Sequence, residues 1–249
     1  MKKENILNYL EWLLIIFLGG SFIFLAFNFN ALEPWIYETF DINLGNIGSY
    51  NVLKLTKQFL VIAFLSCVCS LIIGLFLGLF CLTTLGKEFR PIIEKLATVL
   101  SAFPSIAMLR FMVPLMGLGV LPTVTALTVH GVLPIIYSTI SGIENIDASY
   151  IKVSKCMGMN KTQTMFKVQL PMAIPVIISG LRVAMISCIG GATLASYSGG
   201  EGLGVLLSAG MQQYNMVMIM ECAILICLLS LLMDKSLLKL ERALTHNKK

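Results

Sequence analysis

Four polar side chains stand within or beside long apolar runs: Arg110, His130, Tyr197 and Glu221. An ionisable group at that depth is costly, so it is paired, hydrogen-bonded or functional. Arg110 lies about six residues from one end of its run and Glu221 about seven from the matching end of another. At about 1.5 Å per residue those depths agree within a turn. The expectation is that the two face the protein interior and pair, within one subunit or across a dimer. His130, alone among apolar neighbours, reads first as a hydrogen-bonded packing residue and second as part of a solute pathway. Tyr197 reads first as a packing or interfacial aromatic, and it is kept as a pathway candidate.

Other chemistries find no support. Of the seven cysteines, six lie in apolar runs, none forms a CxxC pair, and only two histidines are present. That pattern fits small packing residues, not a metal or disulfide site. The run Gly199-Gly200-Glu201-Gly202-Leu203-Gly204 lacks the GxxxxGKS/T phosphate loop and follows no predicted strand. It reads as a flexible re-entrant turn. No catalytic residue, metal or resident cofactor is expected.

The elements that carry these residues follow from composition. Hydrophobic residues make up 57% of the 249 and charged ones 12%, about half the usual share, so lipid is the natural solvent. Six stretches are long enough to cross a bilayer, at 10–27, 58–84, 93–116, 120–142, 172–196 and 214–234. Helix is the default because lipid leaves every backbone polar group to be satisfied internally. The first stretch has no small-x-small cleavage pattern after it and reads as a retained span, not a signal peptide. Basic residues gather at alternate connections: Lys2 and Lys3, then Lys87, Arg90 and Lys95, then Lys152 to Lys167, then Lys235 to Lys249. That asymmetry places both termini in the cytoplasm and argues against a nucleic-acid surface. The connection 28–56 carries Trp35, Tyr37 and Phe40, which read as interfacial aromatics on the outer side. Prolines between Pro104 and Pro175 predict kinked helices around a pathway.

The connection 143–171 falls on the cytoplasmic side and is too long for a turn. It predicts a short amphipathic helix over 147–157 with Asp147 or Asn145 near its N-cap, an end at Gly158, and a second short helix over 161–169. Pro171 then opens the fifth span. Such an elbow is what a separate motor would grip.

At the elbow a glycine (Gly158), nine residues, Val168, Gln169, Leu170 and Pro171 follow in order. This resembles the signature loop of ABC importer permeases. The segments 101–143, 155–184, 192–207 and 231–244 are similar to permeases of the glycine betaine, carnitine and choline family. The resemblance implies an all-α integral membrane protein of six transmembrane helices with a cytoplasmic coupling-helix elbow. It divides the chain into an extra helix and outer loop at 1–55, the permease domain at 56–244 and a cytoplasmic tail at 245–249. It also implies a bacterial inner or plasma membrane location and separate ATPase subunits holding ATP and Mg. An external substrate-binding protein and a second permease copy or paralogue complete the implied assembly. Importers of a sulfonate, phosphonate or methionine, and a secondary transporter without an ATPase, are the rival readings. The implied ATPase-docking residues are Asp147, Lys152, Lys155, Met157, Gly158, Met159 and Lys161. The family's Glu-Ala-Ala before the elbow glycine is here Lys152, Val153 and Ser154, so the acid has become a base.

Overall fold

The computed structural model describes residues 2–27 and 51–246, with side chains over 12–27 and 51–244. The aromatics of 28–50 and the tail beyond His246 lie outside the described residues. Among the described residues every regular element is helical: α1 (Lys2–Phe27), α2 (Val52–Cys81), α3 (Gly86–Ala102), α4 (Ser105–Met116), α5 (Val120–Glu144), α6 (Ala148–Cys156) and α7 (Lys161–Thr164). A π-turn (Met165–Gln169) leads into α8 (Leu170–Ala192), a 3₁₀ turn (Ala195–Ser198), α9 (Leu203–Gln212) and α10 (Met216–His246). Among the described residues four helices are long and apolar enough to cross a membrane, or five if the bent pair α3–α4 counts as one. α1 is 26 residues long and apolar over its described side chains, Trp12–Phe27, and α9 is a shorter apolar helix.

Two spans and one connection differ from the sequence reading. The stretch 93–116 is not one straight helix, because α3 and α4 meet at 97°. Pro104 bars Phe103 from the helical region, and Phe103 is extended with φ −66° and ψ 132°. The fifth span begins at Lys161, because α7, the π-turn and α8 run on without a break over 32 residues. The connection 197–213 is not a flexible loop. Gly200, Gly202 and Gly204 are buried, and α9 packs Leu203 and Leu206 wholly out of solvent.

The centre of the molecule is α5, held between α2 and α8. Without a strong hydrophobic force between helices in lipid, small residues decide how closely backbones approach. Ser66, Ser70, Gly74 and Gly78 recur every four residues along α2 and are all buried. The Ser70 hydroxyl lies 3.0 Å from the Thr128 carbonyl of α5. A Cβ on Gly74 would fall 2.7 Å from Ile135 Cβ and 3.1 Å from the Val132 carbonyl. The main apolar cluster, with Phe59, Ile62, Leu127, Ile189, Leu206, Met218 and Leu225, joins α2, α5, α8, α9 and α10. Outward-facing Phe64, Phe76 and Phe111 are exposed, as lipid-facing residues are.

Gly74→Val is expected to force α2 and α5 apart. Overpacking of this kind costs about 1–3 kcal/mol. A thermal melt of the purified protein will show a lower midpoint, while Gly20→Val, whose Cβ meets nothing within 4 Å, leaves it in place.

Candidate functional site: elbow, ties and intramembrane cavity

The elbow is built by local capping. The Asp147 carboxylate accepts from the Ser149 amide at 2.8 Å and starts α6. That amide, then the Ser149 hydroxyl, holds the Asp147 carboxyl below its ordinary range. The cap is therefore present above the ordinary carboxylate range and lost only as pH falls through the lowered value. At the far end the Gly158 amide donates to Lys155 O at 3.0 Å and the Met159 amide to Ser154 O at 3.0 Å. These two bonds form a Schellman motif, which needs a left-handed residue, and Gly158 supplies φ +77°. The next helix opens on a capping box: Asn160 Oδ1 accepts from the Gln163 amide at 2.8 Å, and the Gln163 side chain accepts from the Asn160 amide at 3.0 Å.

The elbow has two faces. Inward, Ser154 and Thr164 are buried with their hydroxyls 3.1 Å apart, so α6 folds back onto α7. Outward, Tyr150, Val153 and Met157 are 52%, 57% and 70% exposed. Their i, i+3, i+7 spacing makes one apolar stripe on α6. Of the residues expected to dock, Met157 lies on this stripe and Met159 is half-buried. Lys152, Lys155 and Lys161 are exposed around it, and Lys152 makes no ion pair among the described residues. Tyr150 and Val153 were not singled out from sequence, although the spacing was there to find them.

The elbow joins the helices by stiff connections. Leu170 N bonds Met165 O, an i to i−5 step. Pro171, which has no amide hydrogen and a ring that crowds the preceding turn, follows directly, and the wider π-turn accommodates it. At the other root, Glu144 ends α5. Its two carboxylate oxygens accept from Arg90 of α3 at 2.6 and 3.2 Å, and Arg90 Nε also donates to Glu94 at 2.8 Å. A bidentate guanidinium–carboxylate pair is among the strongest surface contacts. It fastens α3 to the residue from which the elbow departs. A second network ties α8 to α10: Arg182 donates to Asp234 at 2.7 and 3.0 Å and to Glu241 at 3.0 Å. From sequence alone Arg90 reads only as an orientation charge.

At the opposite end of the helices, Glu201 meets Lys54 at 3.3 Å and also accepts from Gln58 of α2. Gln58 first, then Lys54, keeps the Glu201 carboxyl below its ordinary range.

Within the membrane layer, Arg110 is exposed on α4 and its guanidinium lies 5.8 Å from the centre of the Tyr197 ring. Glu221 is buried on α10, 2% exposed. No ion pair joins Arg110 to Glu221 within this subunit. The guanidinium has taken an aromatic face instead, an attraction of about 0.5–2 kcal/mol. His130 lines a cavity of about 410 Å³ with Ser101, Ser105, Leu133, Pro134, Ser187, Gly190 and Gly191. Its Nε2 is buried without a hydrogen-bond partner. The cavity sits at the α3–α4 break, against α5 and α8. Among the described residues no cluster of histidine, cysteine, aspartate or glutamate has metal-binding geometry.

Known proteins place this arrangement. The profile of the family described as "binding-protein-dependent transport system inner membrane component" matches residues 70–246. The carnitine transport permease OpuCB of Listeria monocytogenes is 33% identical over 198 residues, 80% of this chain and 90% of that one. The glycine betaine/carnitine/choline permease OpuCB of Bacillus subtilis is 34% identical over 190 residues, 76% of this chain and 87% of that one. The osmoprotectant import permease OsmW of Salmonella typhimurium is 34% identical over 213 residues, 84% and 97%. Among solved structures, an inward-facing MetNI methionine ABC transporter chain superposes with a TM-score of 0.70 at 21% identity, covering 79% of this chain and 99% of that one. An amino acid ABC transporter chain does so with 0.64 at 18%, covering 77% and 92%. The chain belongs to the binding-protein-dependent transport system inner membrane component family and has the fold of type I ABC importer permeases.

Proposed function

We propose that this permease carries a small quaternary ammonium or betaine-like solute across a bacterial inner or plasma membrane, with both termini and the elbow in the cytoplasm. The observation that carries this reading is the elbow. It is a capped helix with an outward apolar stripe, rooted through the Glu144–Arg90 pair at one end and through an unbroken helix into α8 at the other. An ATPase closing beneath it would move α3, α5 and α8 together. The chain has no phosphate loop, so ATP and Mg belong to partner ATPase subunits. An external binding protein delivers solute, and a second copy or a paralogue completes the pathway. The solute class rests on relatives whose names specify carnitine, choline and glycine betaine.

Reconstitution tests the whole reading. Proteoliposomes holding the permease, its ATPase and its binding protein are expected to take up labelled glycine betaine, carnitine or choline only when ATP is inside and all components are present. Uptake that persists without the ATPase would make the chain a secondary transporter. ATP-driven uptake of a sulfonate, phosphonate or methionine with none of the three would leave the permease in place and overturn the solute class.

A further inference from the structure

The polar cavity beside His130 has no part in docking or in the ties described above. Its position is telling. His130 lies ten residues into α5, about 15 Å from that helix's end, so the cavity is near mid-membrane. A polar hollow at that depth is expensive unless something polar fills it. Ser101 and Ser105 flank the Phe103–Pro104 break, where α3 stops and α4 begins. Ser187, Gly190 and Gly191 come from α8 on the facing side.

The chemistry of the lining is one-sided. It offers the Ser105 and Ser187 hydroxyls, the Ser101 hydroxyl, which already donates to the Thr98 carbonyl at 3.0 Å, and an imidazole whose Nε2 lacks a partner. The Ser105 amide, at the start of α4, has no intrahelical acceptor and adds an N–H donor. No aspartate, glutamate, phenylalanine, tyrosine or tryptophan lines it. A quaternary ammonium needs a carboxylate or an aromatic cage, and neither is present. What hydroxyls and helix-start amides suit is a carboxylate, the other end of a betaine. Broken helices in transporters present their N-terminal halves to anionic groups for the same reason. The volume, about 410 Å³, lies in the ordinary range for small-molecule sites.

We infer that this cavity is a solute site on the translocation path that receives the carboxylate of a small zwitterion, with Ser105, His130 and Ser187 as its hydrogen-bonding groups. The inference rests on the proposed betaine-class function and sharpens it. The permease itself discriminates carboxylate-bearing solutes from alcohols of the same size. A hydrogen bond to a charged group is about twice as strong as one between neutral groups.

The test compares labelled glycine betaine with labelled choline, which keeps the trimethylammonium group and lacks the carboxylate. Both are measured in proteoliposomes with the complete transporter. Ser187→Ala and His130→Ala are each expected to lower ATP-driven glycine betaine uptake about tenfold, the value of one charge-assisted hydrogen bond. Choline uptake should change less than twofold, and His130→Gln should restore most of the glycine betaine rate. The ATPase and the binding protein are unaltered in every arm. Ser187 is exposed, so its truncation disturbs no packing and carries the test if His130→Ala fails to assemble. Equal loss for both solutes, or loss for neither, overturns the assignment alone. A wild-type transporter that moves neither solute sinks the betaine reading, and this assignment with it.

Discussion

Met157→Asp is expected to leave a folded permease that no longer retains its ATPase. Met157 is the most exposed apolar side chain on the elbow, at 70%, and it contributes to the stripe with Tyr150 and Val153. Its removal therefore takes little from the permease's own packing. A docked partner would bury it, and a carboxylate buried there without a counter-charge carries a large desolvation cost. Central apolar anchors of interfaces lose at least about 2 kcal/mol on truncation, a weakening of about thirtyfold or more. A charged replacement should exceed that. The measurement is recovery of the ATPase with tagged permease, alongside uptake in proteoliposomes. Both should fall to background while the gel-filtration profile of the permease is unchanged. Full recovery of the ATPase with Met157→Asp would show that the motor grips some other surface.

Arg182→Leu is expected to have the largest effect on folding. Arg182, Asp234 and Glu241 have side chains about one-fifth exposed, at 21%, 19% and 24%. The guanidinium sits between the two carboxylates and bridges α8 to α10. Without it, the Asp234 carboxylate is left without its cation in a poorly solvated seam. Breaking a buried ion pair from one side costs about 3–5 kcal/mol, and most of that is the stranded charge. Partial exposure places this site toward the lower figure. The check is the melting temperature and yield of the variant. Adding Asp234→Asn to Arg182→Leu should recover much of the loss, because the stranded charge is gone. Recovery would separate charge from shape. A single variant as stable as the parent would show that the network adds nothing.

Much of this architecture was legible because lipid imposes simple rules. Long apolar runs with basic residues at alternate connections could hardly be anything but membrane helices. Asp147, Gly158 and the second helix at 161–169 were readable because caps are local chemistry. Tertiary pairings were less legible. Arg90 and Arg182 bind carboxylates 54 and 52–59 residues away, and nothing local announces such a partner. The matching depths of Arg110 and Glu221 predict a pair within one subunit or across a dimer, but depth leaves the angle around each helix axis undetermined. Arg110 turned to Tyr197. The 93–116 run illustrates a third limit. Hydropathy counts residues and is blind to direction, so a right-angle bend at Phe103–Pro104 does not register. The short helix α9 escaped because a glycine-rich sequence suggests mobility, whereas these glycines are small so that backbones can pack.

The π-turn at Met165–Gln169 has a consequence for angular phase. An α-helix advances about 100° per residue, so one extra residue in a turn twists everything on one side of it by that amount relative to the other. α7 and the buried face of α8 are parts of one unbroken helical path, and the inserted residue shifts the one relative to the other. A helix regular throughout would turn Thr164, which meets Ser154 of α6, to a different bearing while α8 stayed packed where it is. The compass bearing of the elbow is therefore encoded in five residues at the foot of the span, away from both the docking face and the polar cavity.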